Sequence, residues 1–346
     1  MTPVRRIAID VMGGDYGPPV TIPAAIDALG RHAELHLLLA GRHSEIEPYL
    51  EQLSDELRQR VTVVDAQQII SNHDRPDSIL RSFRDSSMFR AVDLVRQGMA
   101  DASVSAGNTG ALLLAGRHLL KTIPGIAKPA IMAIIPATRP GGYSYLLDVG
   151  ANISSTAREL YQFARMGAVV AQSLSGRPQA RVALLNIGAE EIKGTAQIKE
   201  AATLLQSCRD INFTGYIEGN QIFDGAADVI VCDGFTGNVT IKTSAGAVKA
   251  MQRLMHQSMQ RRWYYQLFGW IFKPFFSDLQ KNLRPSRYNG AALVGLQGII
   301  VKSHGDADQQ GFVHAIEHAL KQTRDNVPAM IASRMASASD LTDPSI

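Results

Sequence analysis

Five segments of this 346-residue chain end a β-rich run in glycine together with aspartate or asparagine, and each could do chemistry. In IDVMGGDYGPP (residues 9–19), Gly13 and Gly14 permit a tight turn and close backbone approach. Asp10 and Asp15 beside them can orient donors or bind a cation. In SAGNTGALL (105–113), a strand runs into Gly107-Asn108-Thr109-Gly110 just before a helical pattern. Free amides at a helix start can hold an oxyanion, and the Asn108 and Thr109 side chains can complete the cup; an ordinary Asn or Thr cap is the alternative. LLDVGAN (146–152) contributes Asp148 and Asn152, and LLNIGAEEIKGT (184–195) contributes Asn186, Glu191 and Lys193. VCDGFTGN (231–238) contributes Asp233, Gly234 and Asn238, with Lys242 one helical turn further on. Lysine can neutralise phosphate charge and asparagine supplies directional hydrogen bonds. His304, in KSHGDAD after another strand, can orient phosphate, donate a proton, or simply hydrogen-bond at a strand end.

Each motif has a plainer reading. Glu190 and Glu191 suit a solvated helix start, Asp148 a strand-end cap, Lys193 a surface lysine and Phe235 a core plug. Repetition of one design at successive strand ends favours a cleft over unrelated turns. The dinucleotide fingerprint GxGxxG, the GxxxxGK[ST] loop, HExxH and the GxSxG elbow are all absent. Cys208 and Cys232 lack paired ligand spacing, and Cys232 in a β-rich run suits the core better than a nucleophile. His314 and His318 stand one helical turn apart, which alone does not make a metal site. Direct attack by a bound substrate is expected over a covalent intermediate.

These strand ends need elements to position them. Short β-rich runs alternate with helical patterns near 19–29, 43–53, 88–97 and 109–120, then near 156–174, 196–206 and 312–321. The pattern predicts an α/β fold with a mainly parallel sheet. TRPGG separates IMAIIPA from YSYLLDVG and suggests a hairpin, with a soft lobe boundary near 136–142 inside one catalytic domain over 1–335. A long helical region begins after Gly237, and a polar tail is expected from 335 or 336 onward. The formal charge of +3 gives no argument for a nucleic-acid partner. Two cysteines fit a reducing compartment. Residues 1–15 lack the hydrophobic region of a signal peptide, and no apolar run is long enough to cross a bilayer.

The stretch RRWYYQLFGWIFKPFF (261–276) holds eight aromatic residues within an amphipathic helical region expected to protrude over 250–285. As a helix, Arg262, Gln266, Gly269 and Lys273 form a polar seam, and Trp263, Phe268, Trp270 and Phe272 fill the other side, with Phe275 just past Pro274. Such a helix suits a membrane surface, a dimer contact or an intrachain core.

The ordered set IDVMGGDYGPP, SAGNTGALL, LDVGAN, ALLNIGAEEIKG, NFTGYIEG, DVIVCDGFTGNVTIKT and YNGAALVGLQGIIVKSHG closely resembles the bacterial phosphate acyltransferase family of phospholipid synthesis, over about residues 7–320. The resemblance implies a three-layer α/β/α fold related to phosphate acetyltransferases and to isocitrate and isopropylmalate dehydrogenases. It also implies transfer of a long-chain acyl group from acyl carrier protein to inorganic phosphate. A cytoplasmic homodimer is implied, associated with the inner face of the membrane, where a membrane glycerol-3-phosphate acyltransferase uses the product. Members often carry Asp-Cys after the glycine-alanine-asparagine element, whereas this chain has Ser154-Ser155, which argues against a cysteine acyl carrier. The expected mechanism holds phosphate on the amides of residues 107–110, with Asn108, Thr109, Lys193 and His304 assisting. Backbone donors around 234–238 with Lys242 then stabilise the tetrahedral oxyanion. No cofactor is required by this scheme; magnesium is possible near the acidic strand ends. The rival readings are a phosphate acetyltransferase using acyl coenzyme A, an NAD-dependent decarboxylating dehydrogenase, and a non-enzymatic membrane scaffold.

Overall fold

The computed structural model describes residues 3–139, 142–176, 179–260 and 288–336. The first half runs β1 (Arg5–Asp10), α1 (Pro18–Arg31), β2 (Leu35–Gly41), α2 (His43–Leu50), α3 (Asp55–Arg58), β3 (Val61–Asp65), α4 (Ser78–Arg81), α5 (Ser87–Arg96), β4 (Ala102–Ser105) and α6 (Thr109–Leu119). The chain continues through β5 (Ala130–Pro136), β6 (Tyr143–Leu147), α7 (Ala157–Ser175), β7 (Arg181–Asn186), α8 (Ala196–Gln206), β8 (Asn212–Glu218), β9 (Val229–Val231) and α9 (Gly234–Gln260). It closes with β10 (Ala291–Val294), β11 (Ile299–Lys302), α10 (Gln309–Asp325) and α11 (Val327–Ala336).

All eleven strands join one sheet in the order β3-β2-β1-β4-β11-β10-β5-β6-β9-β7-β8. Its two wings are parallel, as the βα alternation predicts, but the centre is not. β11 with β10, β10 with β5, and β5 with β6 all pair antiparallel. AALVGLQGIIVK, one apolar run in the sequence, divides into β10 and β11 because Gly295 turns the chain at φ 90°. The predicted TRPGG hairpin is the β5–β6 connection, where Pro136 pairs with Tyr143.

Successive strand residues face opposite sides, so a strand covered on both faces is apolar throughout. Ile7 and Ile9 of β1 pack with α1 and α10, whereas Ala8 between them packs with α5. In β6, Tyr145 and Leu147 pack with α7, and Leu146 lies in the cluster on the other face, which includes Ile241 of α9. These helices supply the outer layers. α7 is started by a capping box in which the Thr156 hydroxyl accepts the Glu159 amide and the Glu159 carboxylate accepts the Thr156 amide.

Two expectations shift at their edges, and one lies outside the described residues. The long helix after β9 begins at Gly234 rather than past Gly237, and the aromatic stretch that follows α9, with Trp263, Phe268, Trp270, Phe272 and Phe275, lies outside the described residues. α11 runs to Ala336, so Met335 and Ala336 complete a helical turn instead of opening a tail; Asn326, in the left-handed region at φ 50°, ends α10 and lets the chain turn into it. Among the described residues no helix is long and apolar enough to cross a membrane.

α7 packs closely on the sheet at Gly167, where an added Cβ would come within 2.6 Å of Val229 Cγ1. Alanine gains about 1 kcal/mol over glycine inside a helix, but overpacking a filled core costs about 1–3 kcal/mol. Gly167→Ala is therefore expected to lower the denaturant midpoint, and Val229→Ala in the same chain to restore part of it. A raised midpoint for Gly167→Ala alone would show that α7 does not pack this closely.

Candidate functional site

The ends of β1, β4 and β11 lie side by side, and the loops leaving them meet at one site. Asp10, the last residue of β1, is buried, and its carboxylate accepts the Ser87 hydroxyl at 2.5 Å and the Ser105 hydroxyl at 2.6 Å. Ser105 Oγ in turn accepts the Gly107 amide at 3.0 Å. One carboxylate thus ties β1, the first turn of α5 and the turn entering α6 together. Glycines let these loops touch: a Cβ on Gly13 would fall 2.9 Å from Gly107 N, and one on Gly14, at φ 93°, would fall 2.9 Å from the Ala106 Cβ. Asp15 closes the rim, its amide donating to Gly305 O at 2.9 Å and its carboxylate accepting Asn72 Nδ2 at 3.0 Å.

The α6 start stands open within this frame. Asn108 caps it, its Oδ1 accepting the Ala111 amide at 3.1 Å, while its Nδ2 donates to Ser71 O at 3.3 Å and Asp74 O at 3.2 Å. The Asn108 side chain is therefore occupied in holding the 71–74 loop against the helix. The amides of Thr109 and Gly110, in the first helical turn, have no intrahelical acceptor. Thr109 is exposed, and Gly110 lies against Pro76, whose Cγ would sit 2.8 Å from an added Cβ.

Lys302, the last residue of β11, supplies the charge that composition and spacing did not reveal. Its ammonium donates to Ala106 O at 3.1 Å and to Ser303 O. Burial pulls its pKa down to about 8, against the opposing pull of Asp10, Asp15 and Asp306. Burial likewise raises Asp10, opposed by its serine hydrogen bonds and by Lys302. The His304 residue surface is exposed, yet crowding of its ring and the Lys302 charge push the imidazole below its ordinary range. It is neutral near pH 7 and offers a hydrogen bond rather than charge.

The second group of predicted residues gathers at the ends of β6 and β9. Asp148 is fully buried, and its carboxylate accepts five hydrogen bonds, from the amides of Ile131, Gly150, Ala151 and Asn152 and from Asn152 Nδ2, at 2.8–3.1 Å. It organises the turn. The α9 start is more fully committed than that of α6: Gly234 N donates to Asn152 O, Thr236 N to Asp233 Oδ1 and Gly237 N to Asp233 O. Those amides, expected to meet an oxyanion, are committed within the protein. The donors left on this turn are the Phe235 amide and two side chains, Asn238, whose Nδ2 also reaches Val149 O at 3.3 Å, and exposed Lys242. Phe235 is 63% exposed, so it is not a core plug, and burial keeps Cys232 protonated.

The register sets the distance between the two groups. Lys302 stands opposite Ala291, Ala292 opposite Met132, and Met132 opposite Leu147, so three strand spacings, roughly 15 Å, separate Lys302 from the Asp148 turn. α9 bridges them: Asn238 is anchored at the Asp148 turn, and Lys249 reaches Asp306 of the β11 loop at 3.2 Å. Lys242 lies on the same face of α9 between these anchors.

Asn186, Glu191 and Lys193 form a third group, at the end of β7. Asn186 shapes its own loop, accepting the Ile187 amide and donating to Lys193 O. Lys193 is exposed and paired with Glu190 at 2.8 Å, and Glu191 is exposed. Within the chain β10, β5, β6 and β9 stand between this loop and β11, so Lys193 does not join the α6 start. His314 pairs with Glu317, whereas His318 is buried against Gly290 O and pushed down to about 4, so the two do not converge. Among the described residues no group of three or more His, Cys, Asp or Glu could hold a metal ion.

Comparison with known proteins agrees with this architecture. The family described as "Fatty acid synthesis protein" matches residues 5–330. A phosphate acyltransferase of Shewanella woodyi is 44% identical over 331 residues, 96% of each chain. The fold resembles a phosphotransacetylase from Streptococcus pyogenes, with TM-score 0.61 at 16% identity over 93% of this chain and 94% of that one. It also resembles a 4-hydroxythreonine-4-phosphate dehydrogenase from Klebsiella pneumoniae, with TM-score 0.53 at 14% identity over 92% and 99%. On the extent and identity of these matches, the chain belongs to the phosphate acyltransferase family.

Proposed function

We propose that this chain transfers a long-chain acyl group from an acyl carrier protein thioester to inorganic phosphate at the cleft between β11 and α9. One observation carries the reading: the uncommitted α6 start lies beside a half-buried lysine among close-packed glycine loops. Phosphate seated there accepts the amides of Thr109 and Gly110, and Lys302 balances its charge. A phosphate oxygen attacks the thioester carbonyl, a C–O bond forms, and the C–S bond breaks as the thiolate leaves. Phosphate is already an anionic nucleophile, so holding it against the carbonyl supplies much of the acceleration. His304 orients a phosphate oxygen through a hydrogen bond. Lys242 and Asn238, above the gap on α9, face the charge that develops on the carbonyl oxygen.

The family resemblance supports the partners: a homodimer, an acyl carrier protein donor, and a membrane surface bearing the glycerol-3-phosphate acyltransferase that consumes the product. It also supports a cytoplasmic setting at the inner face of the membrane. No step in this scheme calls for a cofactor, and magnesium has no assigned role in it.

Purified protein with acyl carrier thioester and phosphate is expected to form acyl phosphate, trapped with hydroxylamine and read by mass spectrometry. Absence of phosphate-dependent thioester loss from folded protein would reject acyl transfer, and equal efficiency with acyl coenzyme A would reject the carrier as the specific donor.

Lys302 gives the pH dependence its sign. A lysine with pKa about 8 is charged below that value and loses its charge as pH rises through it. The kcat/KM for phosphate should therefore fall above about pH 8. Lys302→Arg should keep its charge and shift that fall upward, and Lys302→Met should lose at least roughly tenfold in kcat/KM for phosphate, the scale of one charge-assisted hydrogen bond. An alkaline limb unchanged in Lys302→Arg would remove Lys302 from the phosphate site.

A further inference from the structure

The motif YNGAALVGLQGIIVKSHG ends in Lys302 and His304, while its second residue, Asn289, has no part in the chemistry above. Asn289 is nonetheless 3% exposed, and it commits both amide protons and its oxygen. Its Nδ2 donates to Gly311 O, in the first turn of α10, at 2.8 Å and to Ser303 Oγ at 2.7 Å, and its Oδ1 accepts the His304 amide at 2.9 Å. Gly311 O can only accept and the His304 amide can only donate, so these partners fix which way the side-chain amide faces. Asn289 is itself held in place. Gly290, at φ 104°, brings the chain so close to α10 that an added Cβ would fall 3.0 Å from the Ala315 Cα, and Gly290 O accepts His318 Nδ1.

One peptide unit links this side chain to the phosphate cup. The Ser303 carbonyl, which accepts the Lys302 ammonium, and the His304 amide, which donates to Asn289, belong to the same trans peptide. The unit is planar and its two groups point in opposite directions, so fixing the amide also aims the carbonyl. The preceding unit is fixed separately, by Ser303 N donating to Ser105 O of β4 at 2.8 Å. Were the unit between Ser303 and His304 to turn, the ammonium would keep Ala106 O, at 3.1 Å, and lose the second carbonyl that sets its direction.

We propose that Asn289 is a positioning residue for phosphate, acting through the peptide between Ser303 and His304 to hold the Lys302 ammonium beside the α6 start. The proposal rests on the phosphate site assigned above. Asn289 also pins α10 through Gly311 O, and a role confined to that anchor would not pass through Lys302.

Asn289→Ala, Lys302→Met and the double variant are compared with the unaltered full-length chain, in kcat/KM for phosphate and in calorimetric titration with inorganic phosphate. In the unaltered background Asn289→Ala is expected to lower both kcat/KM and phosphate affinity about fivefold, less than the loss from Lys302→Met itself. With Lys302→Met already in place the same change should cost less than about twofold, because the group it positions is gone. Equal losses in the two backgrounds would overturn the proposal and leave Asn289 as an anchor of α10. Unchanged phosphate affinity in folded Asn289→Ala would overturn it as well. If Asn289→Ala does not fold, Asn289→Ser, whose side chain ends one atom short of the amide oxygen, takes its place in the cycle with the same expected outcomes. If the unaltered chain forms no acyl phosphate, acyl transfer fails, while the phosphate titrations still decide whether Asn289 acts through Lys302.

Discussion

A carboxylate taken out of water must find its donors within the protein, and the cup at the ends of β1, β4 and β11 is arranged around one such group. Asp10 is satisfied by Ser87 from α5 and Ser105 from β4, and Ser105 passes the constraint on to the Gly107 amide. Three elements far apart in sequence are thereby held at one point. The burial that requires this arrangement also encloses Lys302, whose ammonium is pinned by the carbonyls of Ala106 and Ser303. The hydrogen-bonded frame of the cup and the Lys302 ammonium within it are consequently in place before any anion arrives, the preorganisation on which electrostatic catalysis relies.

Asp148 answers the same constraint with the opposite result. Its five donors come almost entirely from the turn that follows it, and Asp233 and Asn152 take up three amides of the helix start beside it. Two strand-end motifs that look alike in sequence therefore differ in what they leave free. The α6 start keeps the Thr109 and Gly110 amides open for a ligand, whereas the α9 start spends those of Gly234, Thr236 and Gly237 on its own fold and presents mainly side chains. The antiparallel centre, β10-β5-β6, sets how far apart these two kinds of donor stand, and α9 spans the interval with an anchor at each end.

Much of this was legible from local pattern. The helix starts at Thr109 and Ala196 fall where the apolar periodicity and the Asn or Thr caps place them, and the TRPGG turn forms the hairpin that its Pro-Gly-Gly suggests. Asn108, Asp148, Asn152 and Asn238 do sit at strand ends around one gap, but the contacts of their side chains were not legible. Whether Asn108 holds a ligand or the 71–74 loop depends on a loop more than thirty positions away in the chain. Lys193 and Lys302 are both lysines near strand ends, and only the order of strands separates the one paired with Glu190 at the end of β7 from the one enclosed beside α6.

The sequence by itself determined the alternation of strands and helices, the glycine turns, the helix caps and, through an ordered set of motifs, the family. Those are properties of short segments, set by backbone preference and apolar period. Tertiary structure alone decided the antiparallel centre, the burial that lowers Lys302, and which helix start remains open. Each depends on pairing between residues distant in sequence, where burial and hydrogen-bond supply are shared among several elements and no single segment contains the outcome.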